Sequence, residues 1–269
     1  MKLWRSPFRA ASGRATGRPH TAIPVNLIIL EPGEVKGTSE VSLSAARAAH
    51  LIDVLHVEPG DQVRVGVLDG PRGTAIVQAI GDGTVALRCS FEAEIPLRSN
   101  VDLLLAVPRP KVMRRLWAQI AALGVGQIIL TNAEKVERNY FDTHILAPET
   151  YRPLLIEGLQ QACDTRLPAV SIHRQFKILI EDRLNDLFGS GLRVVADPSA
   201  TCLFSDAIRA SHGERLLLAI GPEGGWNAFE LSLLAAHGFQ PVGMGPRTLR
   251  TDTACVALLA LAHNAMRCG

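Results

Sequence analysis

GPEGGWNAFE, residues 221–230, follows the apolar run RLLLAI (215–220) and has three glycines and one proline in its first five positions. Glycine and proline mark turns wherever they occur, so a tight connection after a strand is one sufficient explanation. A ligand site is the other, because bare backbone lets a bound molecule approach closely. Asn227 and Glu230 have the spacing of a helix-capping pair, which predicts that a helix begins directly after the turn.

A second turn of this kind, GMGPRTLRTDT, lies at residues 243–253. A short strand is predicted before it and a helix from about Thr251 to Met266 after it. Ligands of open parallel sheets bind at the carboxyl ends of the strands, where both turns are expected. Neither turn has the G-x-G-x-x-G fingerprint of dinucleotide sites, so an ordinary NAD site is not predicted. Two matched turns favour a ligand site over two unrelated loops.

Composition indicates a folded protein of one large domain or two ordinary ones, since 47% of the 269 residues are hydrophobic. The formal net charge is only +2, but 23 of the 28 basic residues are Arg, whose planar guanidinium suits phosphate. This bias favours a nucleic-acid partner, although genomic base composition can produce it too. No apolar stretch reaches the roughly 18 residues that a membrane-spanning helix needs.

Motifs of several enzyme classes are absent from the sequence. The cysteines, at positions 89, 163, 202, 255 and 268, form no C-x-x-C pair and no cluster with His at zinc-ligand spacing. We therefore expect reduced thiols and no metal site. The sequence also lacks H-E-x-x-H, G-x-S-x-G and P-loop motifs, so neither a hydrolase nor an NTPase is predicted.

Sequence patterns divide the chain into three parts. Residues 1–24 carry five basic residues and no acidic one, which predicts a basic disordered extension; an organellar transit peptide has the same composition. We expect a cytoplasmic protein, with an organellar location as the alternative. Residues 25–95 contain short strands separated by Gly/Asp turns, which predicts a small barrel. Residues 96–269 alternate strands with helices, which predicts an α/β domain with a largely parallel sheet.

The two turns carry a resemblance to a known family. IGPEGGWNAFE (220–230) and VGMGPRTLRTDTA (242–254) resemble the paired C-terminal motifs of the ribosomal RNA uridine N3-methyltransferases of the SPOUT (trefoil-knot) superfamily. AARAAHLIDVLHVEPGD (45–61) and EGLQQACDTRLP (157–168) are similar to further parts of this family, so the resemblance covers most of the chain from Val25.

The resemblance implies a C-terminal trefoil-knotted parallel-sheet domain and an N-terminal PUA-like β-barrel that binds RNA. It also implies a homodimer that methylates N3 of a uridine in small-subunit (16S) ribosomal RNA, with S-adenosylmethionine held in the knot. A ribosome-assembly factor with an inactive pocket, or a SPOUT methyltransferase acting on transfer RNA, are the alternatives.

The resemblance further implies two walls around the cofactor. The first wall comprises Ile220, Gly221, Gly224 and Gly225. The second comprises Met244, Gly245, Pro246, Leu249, Thr253 and Ala254.

Three charged residues near these walls are the candidate catalytic groups. Arg250 provides a fixed positive charge that could stabilise negative charge developing on the uracil oxygens. Glu223 or Asp252 could accept the N3 proton, directly or through water. The structural alternative is that Arg250 forms an ion pair with Asp252 or Glu223 and only stiffens the loop.

Candidate RNA contacts lie in the N-terminal part. Arg47 and His50 are three residues apart on one predicted helical face, which suits contact with phosphate, and Arg64 is a further candidate. A single His is more often a packing residue, which favours the two arginines. The chain departs from the family pattern at His56 and Asp164, where Arg is common, and these differences bear on the RNA target more than on the cofactor.

Overall fold

The structure is a computed structural model that describes residues 26–35, 39–210 and 215–267. The basic extension expected at residues 1–24 lies outside these ranges. Two sheets with separate apolar cores account for most of the described chain. The segment 92–100, which contains no helix or strand, connects them.

The N-terminal sheet is a curled half-barrel. Its elements are β1 (Ile28–Leu30), β2 (Glu40–Leu43), α1 (Ala45–Ala49), β3 (Gln62–Val67), β4 (Arg72–Gly81) and β5 (Thr84–Phe91). A 3-10 turn, Pro32–Glu34, follows β1, and a π-helical turn, His50–Val54, continues α1. The strand order is β1-β3-β4-β5-β2, in which β1 and β3 are parallel and the other pairs antiparallel.

Strand β1 joins the half-barrel to the rest of the molecule through its alternating side chains. Ile28 and Leu30 point into the core of the half-barrel, whereas Ile29 belongs to the larger C-terminal core. Successive residues of a strand face opposite sides, so one short strand contributes to both cores. The Oγ1 of Thr165 adds a buried link by donating to the carbonyl of Gly70 at 2.6 Å.

The C-terminal part is a six-stranded parallel sheet with helices, which confirms the predicted α/β fold class. Its elements are β6 (Val101–Ala106), α2 (Pro110–Leu123), β7 (Gln127–Thr131), α3 (Pro148–Ala162), β8 (Ala169–His173), α4 (Phe176–Ile178), α5 (Leu184–Phe188), β9 (Leu192–Ala196), α6 (Phe204–Ala210), β10 (Leu216–Ile220), α7 (Ala228–Ala236), β11 (Phe239–Val242) and α8 (Thr251–Arg267). A π-helical turn, Leu179–Arg183, joins α4 to α5, and 3-10 turns occupy Arg138–Asp142 and His144–Leu146. The strand order is β11-β9-β10-β6-β7-β8.

Helix α2 covers the sheet next to α3 and α8. It ends at Gly124, whose φ of 79° is the left-handed conformation that glycine adopts without strain. Trp117 is fully buried on α2 and donates from Nε1 to the carbonyl of Ile145 at 3.0 Å. On α3, Gly158 allows close packing, because a Cβ there would collide with the carbonyl of Ala118.

The chain after β11 is hydrogen-bonded to the loop that follows β9. Gly243 donates its N–H to the carbonyl of Cys202 and accepts from the N–H of Phe204, both at 2.9 Å. A Cβ on Gly243 would lie only 3.0 Å from the carbonyl oxygen of Ala200. The chain then crosses from the edge strand to α8, which packs against α2 and α6. The trefoil knot that the resemblance implies stays a prediction.

Two further expectations concern membranes and thiols. Within the described ranges, no helix combines the length and the apolar character needed to cross a bilayer. Cys89, Cys163, Cys202 and Cys255 are free thiols.

Candidate functional site

A cleft of about 180 Å³ opens at the carboxyl edge of the parallel sheet. It lies where β9, β10 and β11 end, so the two glycine-containing turns meet there as expected. Six of the ten predicted cofactor residues line it: Ile220, Gly221, Gly225, Met244, Leu249 and Ala254. The end of β9 and the turn after it add Ala196, Asp197 and Pro198, which were not predicted although Asp-Pro-Ser after a strand is a recognisable turn signal.

The other four predicted cofactor residues, Gly224, Gly245, Pro246 and Thr253, do not line the cleft. Gly224 lies against the loop after β7, where its carbonyl accepts from Lys135 Nζ at 2.7 Å. A Cβ on Gly224 would come within 2.7 Å of Lys135 Cδ, so this glycine serves the packing of the turn. The backbone N–H of Thr253 donates to Asp252 Oδ1 at 2.9 Å in the first turn of α8.

Gly225 provides open space at the cleft. Its φ is 69°, and no atom lies within 4 Å of the position that a Cβ would take. Positive φ favours glycine, and a larger side chain would project into the space that the turn leaves free.

The carboxylate of Glu230 fixes the turn after β10. Glu230 is 3% exposed, and its Oε2 accepts from the N–H of Asn227 at 2.8 Å. The N–H of Glu230 donates in return to Asn227 Oδ1 at 2.8 Å, which confirms the predicted capping pair. The second carboxylate oxygen accepts from the N–H of Glu134 at 2.7 Å. One side chain therefore ties the start of α7 to the loop after β7.

Two of the three catalytic candidates, Glu223 and Asp252, each contact a residue at or near the start of α2. Glu223 lines the cleft, is exposed, and accepts from the backbone N–H of Arg109 at 3.2 Å. Asp252 does not line the cleft and pairs with Arg115, whose Nη2 lies 3.0 Å from Oδ2. The start of α2 thus contacts the turn after β10 as well as the start of α8.

Arg250 has an exposed side chain next to Leu249, a residue of the cleft wall. Within the described ranges, no carboxylate lies at ion-pair distance from its guanidinium. The ion pair with Asp252 or Glu223, which was the structural alternative for this residue, is therefore not found there. The two walls are connected instead by Thr251, whose Oγ1 donates to the carbonyl of Gly221 at 3.3 Å.

Two other titratable groups are poorly suited to chemistry. Cys255 is fully buried on α8, and burial raises the pKa of its thiol, which keeps it protonated at neutral pH. Burial also raises the pKa of the Tyr140 hydroxyl, which donates to Glu137. Among the described residues, no group of three or more His, Cys, Asp or Glu could hold a metal ion.

The predicted RNA contacts lie in different surroundings. Arg47 forms two hydrogen bonds to Glu34, at 2.6 and 2.9 Å, and these lower the pKa of the Glu34 carboxyl. His50 is exposed where α1 passes into the π-helical turn. Arg64 is exposed, with Nη1 3.6 Å from the sulfur of Cys163 at the end of α3. Each remains a prediction, and Arg47 has a structural partner that would compete with phosphate.

Comparison with known proteins gives consistent matches. The family model of an RNA methyltransferase domain matches residues 94–263. Ribosomal RNA small subunit methyltransferase E of Treponema pallidum is 33% identical over 248 residues, which cover 89% of this chain and 92% of that protein. The protein of the same name from Synechocystis is 30% identical, over 82% of this chain and 71% of its own length.

A solved structure shares the fold. The crystal structure of a ribosomal RNA small subunit methyltransferase E from Neisseria gonorrhoeae, bound to S-adenosyl methionine, superposes with a TM-score of 0.72. The alignment covers 89% of this chain and 97% of that chain at 21% identity.

The role of Glu230 in holding the turn can be tested by Glu230→Ala. The change leaves the N–H groups of Glu134 and Asn227 without their acceptor, so we expect the free energy of unfolding to fall by about 1–3 kcal/mol. Urea denaturation measures this. Glu157→Ala, which removes an exposed carboxylate from α3, is the matched control and should change stability by no more than about 0.5 kcal/mol. Equal effects of the two variants would contradict the assignment.

Proposed function

Because the chain belongs to the ribosomal RNA small subunit methyltransferase E family of RNA methyltransferases, we propose that it transfers a methyl group from S-adenosylmethionine to N3 of a uridine in small-subunit ribosomal RNA. The observation that carries this proposal is the cleft itself. Two glycine-containing turns, after β10 and β11, enclose it at the carboxyl edge of a parallel sheet.

The cleft fits S-adenosylmethionine by the chemistry of its walls. Ile220, Met244 and Leu249 provide apolar surface for the flat adenine ring. Gly225 leaves room for close approach to the backbone, where peptide N–H and carbonyl groups can bind a zwitterionic ligand. When bound, S-adenosylmethionine supplies a methyl group on a positively charged sulfur.

The protein would align the base with the cleft, stabilise the negative charge that develops on it and accept its N3 proton. Uridine N3 carries a proton and is occupied in paired RNA, so the base must be unpaired or flipped to reach the cleft. Arg250 would hold the uracil oxygens as negative charge develops on them. Glu223 is the favoured acceptor of the N3 proton, because it lines the cleft whereas Asp252 lies outside it in an ion pair with Arg115.

Gly225→Val tests the cofactor site. The valine side chain would fill open space in the cleft, so we expect calorimetry to detect no binding of S-adenosylmethionine. Gly238→Val is the matched control, because Gly238 also has a positive φ (82°) and open space around it but lies in the turn between α7 and β11. Both variants carry the same kind of backbone strain, and only Gly225→Val should lose binding. Normal binding by Gly225→Val would place the cofactor elsewhere.

Arg250→Ala tests the catalytic assignment. Loss of one donor to transition-state charge should slow methyl transfer by about 100-fold, while the affinity for S-adenosylmethionine changes little. Single-turnover kinetics with a small-subunit ribosomal RNA transcript measures the first quantity and calorimetry the second. Arg247→Ala removes another exposed arginine of the same loop and should retain most activity. An Arg250→Ala protein that unfolds or loses the cofactor would show that Arg250 is structural.

We further propose a homodimer that works in the cytoplasm. On α8, Val256 and Leu261 expose 36% and 41% of their surface, which gives a partner apolar side chains to cover. The relatives compared above are bacterial proteins, and bacteria assemble ribosomes in the cytoplasm. Light scattering at micromolar concentration should give the mass of two chains, and a monomer would refute the pairing.

A further inference from the structure

A cationic ridge borders the cleft at the start of α2. We define it as Arg109, Lys111, Arg114 and Arg115, all of which are exposed. The first turn of α2 contains no acidic residue to offset this charge. Over these residues the helix advances about 9 Å, so four positive charges lie along a short surface.

The contacts of the ridge place it beside both walls of the cleft. The backbone N–H of Arg109 donates to Glu223, in the turn after β10. The guanidinium of Arg115 pairs with Asp252, in the first turn of α8. Lys111 and Arg114 lie between these two anchored positions in the chain.

Local stability does not explain the ridge. A helix N-terminus carries partial positive charge, so cations there are unfavourable, and like charges four residues apart, such as Lys111 and Arg115, repel each other. Within the described ranges, Arg115 has a carboxylate partner, whereas no carboxylate lies at ion-pair distance from Lys111 or Arg114. Cations that lower the stability of a helix N-terminus and lie beside a cleft indicate that function requires them at these positions.

We infer that Lys111 and Arg114 bind phosphates of the RNA strand that flank the target uridine, an inference that rests on the proposed function. A row of cations suits a polyanion better than a single small anion. The cofactor carries a sulfonium charge itself, so the ridge does not favour it as the partner. Contacts to phosphate fix the position of a strand without reading its sequence, so these residues would position the base over the cleft rather than select uridine.

The test is the double variant Lys111→Gln/Arg114→Gln, with binding to a small-subunit ribosomal RNA transcript measured over a range of salt concentrations. We expect affinity to fall about tenfold or more at low salt. The slope of log K against log salt should become shallower by about 1.4, the value for two phosphate contacts on a single strand. KM for RNA should rise while kcat and the affinity for S-adenosylmethionine stay close to wild type.

Two further variants serve as controls. Arg183→Gln/Arg209→Gln removes the same charge from exposed positions, on the π-helical turn after α4 and on α6, and should leave the salt slope unchanged. Lys111→Arg/Arg114→Lys keeps the charge and should bind RNA like wild type. Loss of binding in this charge-preserving variant would contradict a role based on phosphate contact.

Two outcomes separate this inference from the proposed function. An unchanged affinity and salt slope in the Lys111→Gln/Arg114→Gln protein would overturn the ridge as an RNA surface, whatever the enzyme methylates. RNA binding is measured without turnover, so it can be scored even if the wild-type protein fails to methylate the transcript. That failure would count against the proposed function alone.

Discussion

The pairing of Gly243 with the loop after β9 is the constraint on which the cleft depends. Strand β11 lies at the edge of the sheet, yet α8 packs against α2 on the other side of β9 and β10. The connecting chain must therefore cross the ends of both strands. The two hydrogen bonds of Gly243 hold that crossing, and a Cβ at this position would lie only 3.0 Å from the carbonyl oxygen of Ala200. The second wall of the cleft exists because the chain takes this path.

Strand order determines which parts of the protein support the site. Strand β10 lies between β9 and β6, and β7 follows β6. The turn after β10 is consequently reached from one side by α2 and by the loop after β7, through Glu223, Glu230 and Lys135. Of these three side chains, Glu223 lines the cleft, whereas Glu230 and Lys135 hold the turn from outside it. The cationic ridge belongs to the same support, since α2 both anchors the walls and presents charge beside them.

Sequence patterns predicted the regular elements better than their contacts. The alternation of strands and helices predicted for residues 96–269 is found in the parallel sheet, because long apolar runs separated by turns have few alternatives. Strand β2 and helix α6 were not predicted, since each is short and has mixed polarity. Gly224 was assigned to the cleft because a motif does not show which side of a turn a residue faces. The pairing of Arg47 with Glu34 depends on how the half-barrel curls, which periodicity does not reveal.

The crossing from β11 to α8 also sets an order of events during translation. The half-barrel and the strands up to β10 are synthesised before residues 243–258, and folding during synthesis generally proceeds from the N-terminal side. A chain interrupted at that stage would carry one wall of the cleft and an uncovered apolar surface where α8 should pack. We expect chaperones and proteases to bind such a fragment, and we do not expect it to act as an enzyme of reduced activity. Activity would therefore be nearly all-or-none with respect to completion of the chain.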